Sequence, residues 1–130
     1  MQSYALVFLG GGLGSALRFL FSKVFAGASL SFLSGSILGT FIANMTGSFF
    51  LGILLAFYHG GKINDSTSFL LATGFCGGLT TFSTFIFELA SLQKQNETYV
   101  SIGYFVCSII SALILTVFSY YFTAKILDNF

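Results

Sequence analysis

The sequence predicts an all-α membrane protein with four transmembrane helices, and three observations support this fold class. Hydrophobic residues make up 55% of the 130 residues. Only 7% are charged, against about 25% in an average soluble domain, and so few charges could not cover the surface of a soluble protein. The chain also contains four apolar stretches, each long enough for the roughly 20 residues that a helix needs to cross a bilayer.

The four stretches follow one another with short polar connectors between them. They cover residues 4 to about 25, 32–57, 66 to about 93, and 98–124. Connectors of this length keep consecutive helices side by side and antiparallel. The chain has no room for a soluble domain, so we expect one transmembrane domain over residues 1–130, in a multi-pass protein of the cell membrane.

The positive charges are divided almost evenly between the two sides of the membrane. An even number of spans places both termini and the second connector on one side, with Lys62 and Lys125. Lys23 and Lys94 lie on the other side, joined by Arg18 if its side chain reaches outward. The excess of cytoplasmic cations that normally sets orientation is therefore absent. We expect the chain to insert both ways, and to form an antiparallel homodimer because four helices enclose little interior.

Several function classes find no support in the residues. A net charge of +1 suggests no nucleic-acid partner. Cys76 and Cys107 have no acidic or histidine neighbour, so they do not indicate a metal site. The glycines between Gly10 and Gly14 lack the strand before them and the acidic residue about 20 positions on that a dinucleotide-binding loop requires, so close helix packing explains them better. The sequence shows no pair of a nucleophile and a general base, so nothing in it indicates an enzyme.

The second span carries two parallel stripes, each with a spacing of about one helical turn. The small residues that let helices approach closely are Gly35, Gly39, Ala43 and Gly47. The mainly polar stripe one position further on consists of Ser36, Thr40, Asn44, Ser48 and Gly52. An interhelical hydrogen bond and a functional polar site explain Ser36 and Ser48 equally well. The amide of Asn44, at mid-membrane depth, points to a polar site.

The third span contains the sequence Gly-Gly-Leu-Thr-Thr at residues 77–81, which is poor helix-forming sequence. We therefore expect the third helix to be broken in the middle of the membrane. Unwound backbone at that depth is tolerated only where it is buried in protein or lines a polar site. Its free carbonyls can coordinate a cation, and its free N–H groups can face an anion.

After this break, helical spacing predicts which side chains of the third span share a face. Phe82 and Phe85 share one face, while Thr80, Thr84 and Glu88 follow a neighbouring face. A carboxylate within the membrane is a functional candidate, although a solvated position near the interface would also explain Glu88. In the fourth span, three hydroxyl residues share a face, and they are Tyr104, Ser108 and Ser111.

These motifs resemble one family. The run GGLTTFSTF at residues 77–85 is similar to the corresponding segment of the Fluc (CrcB) family of small microbial fluoride channels. The segment from Gly39 through Asn44 resembles the second span of that family, and Leu17, Arg18 and Glu88 also fit. The resemblance covers essentially the whole chain.

The resemblance implies an antiparallel homodimer with two parallel pores, to which both subunits contribute. Phe82 and Phe85 would then direct their electropositive ring edges toward fluoride. Asn44 would donate its amide N–H to the ion, and Ser83 and Thr84 would supply hydroxyls along the pore wall.

The resemblance also implies a structural sodium ion between the subunits. The backbone carbonyls of Gly77 and Thr80 would hold this ion. Arg18 would lie near the pore entrance.

The fourth span departs from the family pattern at one point. The family often has Gly-Ser where this chain has Ser111 and Ala112, so a vestibule hydroxyl is moved by one position or lost. Thr40 and Ser111 are the expected entrance ligands, and Tyr104 and Glu88 complete the predicted fluoride pathway.

Two other interpretations stay open. A small dual-topology, proton-coupled exporter also has four spans, but in those proteins the membrane carboxylate lies in the first span, and here Glu88 is the only acidic residue within a predicted span. A structural or assembly subunit would pass no ions at all. Fluoride transport that does not depend on a proton gradient would distinguish a channel from both.

Overall fold

The computed structural model describes residues 1–27 and 34–129. Helix α1 covers Gln2–Phe25 and helix α2 covers Gly35–His59. The third span covers Asp65–Lys94, and the last helix, α6, covers Thr98–Asp128. All 4 of these helical spans are long and apolar enough to cross a membrane, which confirms the prediction. The predicted start of the second span, at residue 32, lies outside the described residues.

The third span is not one regular helix. Its segments are α3 (Asp65–Ser68), a π-helix (Phe69–Cys76), α4 (Gly77–Leu79) and α5 (Phe82–Lys94). Between α4 and α5, Thr80 (φ −76°, ψ 151°) and Thr81 (φ −146°, ψ 122°) are extended. Two glycines followed by two β-branched residues favour this departure from helical geometry. The Thr81 hydroxyl then accepts a hydrogen bond from Thr84 N–H and caps the start of α5.

Close contact between α1 and the third span depends on glycine. A methyl group on Gly10 would overlap the carbonyl oxygen of Leu70, and one on Gly14 would overlap that of Phe75. A methyl group on Gly78 would likewise overlap Gly11. The glycine cluster of the first span therefore serves helix packing, as predicted.

Glycines along α2 contact three different neighbours. Gly39 faces the backbone of Ser22 on α1, and Gly47 faces Thr80 at the interruption of the third span. Gly52, the last residue of the parallel stripe, faces Thr116 on α6. Helix α2 is thus the central helix against which the other spans pack.

Candidate functional site

The side-chain amide of Asn44 holds the extended segment in place. Its Nδ2 donates to Thr81 O at 3.2 Å, and its Oδ1 accepts from Thr81 N–H at 2.7 Å. The amide thus makes the same pair of hydrogen bonds with the backbone N–H and C=O of Thr81 that a neighbouring β-strand would make. Because an amide nitrogen carries two hydrogens, one N–H of Asn44 stays free of this pair.

The same contacts divert two N–H groups from the carbonyls that they would bond in a continuous helix. Thr81 N–H would bond Gly77 O, but it donates to Asn44. Thr84 N–H would bond Thr80 O, but it donates to the Thr81 hydroxyl at 3.3 Å. The two carbonyls therefore lose their helical donors, and these are the carbonyls that the resemblance assigns to a cation. Carbonyl oxygens are suitable ligands for hard cations.

The neighbouring carbonyl, that of Gly78, is occupied. It accepts from Arg18 Nε at 3.2 Å and from Ser15 Oγ at 3.3 Å. The half-buried Arg18 therefore ties α1 to the end of α4, where the negative end of the helix dipole favours a cation. Gly77, by contrast, is exposed, and an added methyl group would have nothing within 4 Å of it in the described part of the chain.

The two phenylalanine rings share a face of α5 but differ in burial. Their centroids lie 6.1 Å apart, with an angle of 46° between the planes. Phe85 is only 2% exposed, whereas Phe82 is 69% exposed. Phe85 meets the Tyr104 ring at 5.0 Å and 71°, and stacks on Phe105 at 6.2 Å and 18°. One ring is therefore fixed in the core while the other is directed outward.

A cavity of about 390 Å³ lies between α2, the third span and α6. The predicted site residues in its wall are Asn44, Gly77, Thr80, Phe82 and Phe85. Ser48 and Ser108 also line it. The structure thus brings Asn44, the ring pair and the two residues with diverted carbonyls around one space.

Ser108 belongs to this wall but was not among the predicted site residues. Its side chain is 5% exposed, and its Oγ has no hydrogen-bond partner within residues 1–27 and 34–129. A buried hydroxyl without a partner is costly unless something in the cavity takes its hydrogen bond. Helical spacing places Ser108 with Tyr104 on one face of the fourth span, where its hydroxyl could meet another helix or line a vestibule.

A second group of predicted residues surrounds Glu88, which is only 5% exposed. Its Oε1 accepts from Ser36 Oγ at 2.9 Å and from Thr40 Oγ1 at 2.8 Å. Its Oε2 accepts from Tyr104 OH at 3.0 Å. Glu88 is therefore buried in a hydroxyl cluster and not solvated, and Ser36 makes the interhelical hydrogen bond that was one of its two interpretations.

The remaining predicted residues lie around these two groups. Ser83 is exposed, with its Oγ 3.4 Å from the Thr81 hydroxyl, and the half-buried Thr84 accepts from Thr81 Oγ1 at 3.1 Å. Ser111 is half-buried on α6. Its neighbour Ala112 lines the cavity, and Ser111 does not. The structure does not bring Ser111 to the cavity that the described residues form.

Comparisons with known proteins agree on one family. Residues 5–120 match the family described as CrcB-like protein, Camphor Resistance (CrcB). A protein of Gloeothece citriformis named fluoride-specific ion channel FluC is 42% identical over 109 residues, which is 84% of this chain and 86% of that protein. One of the same name from Francisella tularensis subsp. mediasiatica is 36% identical over 121 residues, 89% of this chain and 90% of that protein.

A third relative of that name, from Aquifex aeolicus, is 42% identical over 99 residues, 75% of this chain and 77% of that protein. Four spanning helices and these relatives identify a multi-pass protein of the cell membrane. The chain belongs to the CrcB-like family.

Proposed function

We propose that this chain is a fluoride-selective channel through which fluoride leaves the cell passively. The relatives that bear the name fluoride-specific ion channel cover most of the chain, and they are named as channels and not as enzymes. The observation that carries the proposal is the cavity where an aromatic pair and the Asn44 amide meet a hydroxyl that has no partner among residues 1–27 and 34–129.

The chemistry of this cavity suits a small, strongly hydrated anion. Fluoride enters a pore only if donors replace its water, and it leaves only if no donor group holds it too firmly. The ring edges of Phe82 and Phe85 are electropositive but carry no charge. The free N–H of Asn44 and the hydroxyl of Ser108 can donate to the ion, while Ser83 and Thr84 extend the polar wall at the start of α5.

The pore is completed by a second, antiparallel copy of the chain, giving two pores per dimer. Phe82 and Ser83 are exposed on one side of the third span, and Gly77 is exposed on the same span. Backbone carbonyls without partners are not tolerated against lipid. A second copy that covers this side would remove the interruption from lipid, and the even division of cations allows the two copies to insert in opposite directions.

A sodium ion between the two copies is part of the same proposal. The carbonyls of Gly77 and Thr80 have lost their helical donors to side chains. One pair of such oxygens from each subunit provides four ligands of the kind that a hard monovalent cation prefers. This ion would stabilise the dimer and would not move with fluoride.

The other predicted residues lie beside the pore. Thr40 and Tyr104 donate to Glu88 next to Phe85, and Arg18 lies beside α4. Ser111 stays in the proposal as an entrance residue on α6. The positive charge of Arg18 raises the local concentration of anions without entering the cavity wall.

A growth experiment tests the function in cells. The chain is expressed in bacteria whose own fluoride exporters have been deleted, and growth is measured over a range of fluoride concentrations. The parent chain is expected to restore growth, and the double variant Phe82→Ile, Phe85→Ile, produced at the same level in the membrane, is expected not to. Growth that stays sensitive to fluoride with the parent chain in the membrane would contradict the proposal.

A further inference from the structure

The hydroxyl cluster around Glu88 has a definite direction of hydrogen bonding. A serine, threonine or tyrosine hydroxyl has one hydrogen to donate. Those of Ser36 and Thr40 are directed at Oε1 of Glu88, and that of Tyr104 is directed at Oε2. All three hydrogens are therefore committed to the carboxylate. The oxygens present only lone pairs to anything else, and lone pairs repel an anion.

The cluster joins three helices at one point. Glu88 belongs to α5, Ser36 and Thr40 belong to the first turns of α2, and Tyr104 belongs to the N-terminal third of α6. The start of α2 contributes a partial positive charge that favours a carboxylate at this position. Within the part of the chain that the structure describes, no cation lies within ion-pair distance of Glu88, so the hydroxyls and helix ends are what stabilise it.

The cluster reaches the ring of Phe85 through Tyr104. The Tyr104 hydroxyl is bound to Glu88 at 3.0 Å, while its ring meets Phe85 edge to face with centroids 5.0 Å apart. Glu88 follows Phe85 by three residues on the same helix, and Tyr104 contacts both side chains. Fixing the Tyr104 hydroxyl therefore fixes the plane against which Phe85 packs.

Phe85 also lines the cavity between α2, the third span and α6. Its wall includes Phe85, Asn44 and Ser108, but it does not include Glu88, Thr40 or Tyr104 among the residues that the structure describes. Phe85 is thus shared by the two groups, because its ring contacts Tyr104 and also lines the cavity. An ion in the cavity would meet Phe85 without meeting the carboxylate.

We propose that Glu88 is a positioning residue that holds Tyr104 against Phe85, and that it does not bind the permeating ion. The carboxylate gathers three hydroxyls from α2 and α6, and the ring of Phe85 is thereby fixed at the cavity wall. This inference rests on the proposed fluoride channel and deepens it, because it divides the predicted fluoride pathway into residues that meet the ion and residues that orient them.

Four variants test the role of Glu88, with fluoride efflux from liposomes and the preference for fluoride over chloride as readouts. Glu88→Gln keeps an oxygen for Ser36 and Thr40, and its amide N–H can donate to the Tyr104 oxygen. Glu88→Leu has a similar volume but no acceptor. Tyr104→Phe keeps the ring and removes the tether, and Glu88→Gln with Tyr104→Phe forms the double variant.

The expected results follow from the hydrogen bonds that each variant retains. Glu88→Gln should keep efflux within about threefold of the parent, and Glu88→Leu should lose at least about tenfold, because buried donors left without acceptors disrupt the cluster. Tyr104→Phe should lower efflux and weaken the preference for fluoride. The double variant should be no slower than Tyr104→Phe alone, since both changes act through one contact.

The controls separate this role from a general effect on folding and from the function itself. Glu97→Gln, at an exposed glutamate in the last connector, is the matched control and should behave as the parent does. A purely structural role would reduce the yield of active vesicles without changing selectivity. The inference is overturned if Glu88→Gln is as inactive as Glu88→Leu, if Glu88→Leu conducts normally, or if the two changes add. A parent chain that passes no fluoride would overturn the proposed function, and the inference with it.

Discussion

The substitution Asn44→Asp tests the amide at the centre of the site, because it changes one atom and little of the shape. The Oδ1 that accepts from Thr81 N–H at 2.7 Å is retained, so the extended segment keeps its stronger contact. The Nδ2 that donates to Thr81 O at 3.2 Å becomes an acceptor facing an acceptor. The free N–H that we assign to fluoride disappears, and a negative charge takes its place.

Two contributions set the size of the effect. Loss of the donor to the partly buried Thr81 carbonyl costs about 1–3 kcal/mol of folding free energy. At a separation of about 4 Å and an effective dielectric constant of about 20, two like unit charges repel by about 4 kcal/mol. At about 1.4 kcal/mol per factor of ten, that repulsion alone lowers occupancy of the site by roughly a thousandfold.

The assay is fluoride efflux from liposomes that contain equal amounts of parent or variant. Asn64→Asp is the matched control, because Asn64 caps α3 by accepting from Thr67 N–H at 2.9 Å and aspartate caps a helix equally well. We expect efflux through Asn44→Asp to fall to background while Asn64→Asp conducts as the parent does. Parent-like efflux through Asn44→Asp would show that the amide only holds the backbone.

The remaining predictions concern the rings, the carbonyls and the orientation. Phe82→Ile and Phe85→Ile should each greatly reduce efflux by removing the electropositive ring edge. Only Phe85→Ile should also lower the melting temperature, because Phe85 is just 2% exposed. Normal efflux in both variants would refute the role of the ring edges. Gly77→Val should leave the single chain folded, because an added Cβ would meet nothing within 4 Å in the described part of the chain. It should nevertheless prevent dimer formation on size-exclusion chromatography, and a normal dimer would argue against the carbonyl site. Two lysines added near Asn64, or two near Gln95, should each abolish fluoride resistance in cells, and co-expression of the two variants should restore it; a biased variant that works alone would exclude the antiparallel dimer.

Composition and hydropathy were sufficient to predict the four spans. A bilayer imposes one strong requirement on a helix, an uninterrupted apolar stretch, and this requirement can be recognised in the sequence without knowledge of tertiary contacts. The tight packing of Gly10 and Gly14 followed from the same reasoning, since a glycine in a membrane helix serves mainly to let another backbone approach. The π-helix at Phe69–Cys76 was not predicted, because no composition or periodicity identifies hydrogen bonds from residue i to residue i+5.

The contacts of the site could be predicted only in part. Asn44 was singled out as a polar residue in an apolar span, but its pairing with the Thr81 peptide joins positions 37 residues apart and depends on how α2 meets the third span. Helical spacing placed Phe82 and Phe85 on one face, yet it could not show that one ring is buried and the other exposed. Tertiary packing decides both of these properties.

Glu88 illustrates the same limit for charge. The sequence left open whether this carboxylate is solvated near the interface or functional within the membrane. Its burial and its three hydroxyl partners come from two other helices, and neither the spacing of Ser36 and Thr40 nor that of Tyr104 indicates toward which residue the hydroxyls are directed. The roles of the individual pore residues, the sodium ion and the antiparallel dimer stay predictions that the variants above address.

The most direct test of the fluoride channel is efflux from liposomes that contain only the purified chain and are loaded with potassium fluoride. A potassium ionophore lets potassium leave with fluoride, so that no membrane potential builds up and stops the efflux. A fluoride-selective electrode then records the release. The account predicts rapid efflux that is the same with and without a proton gradient, and little release of chloride from matched vesicles. Release no faster than from protein-free liposomes, or release that requires a proton gradient, would contradict it.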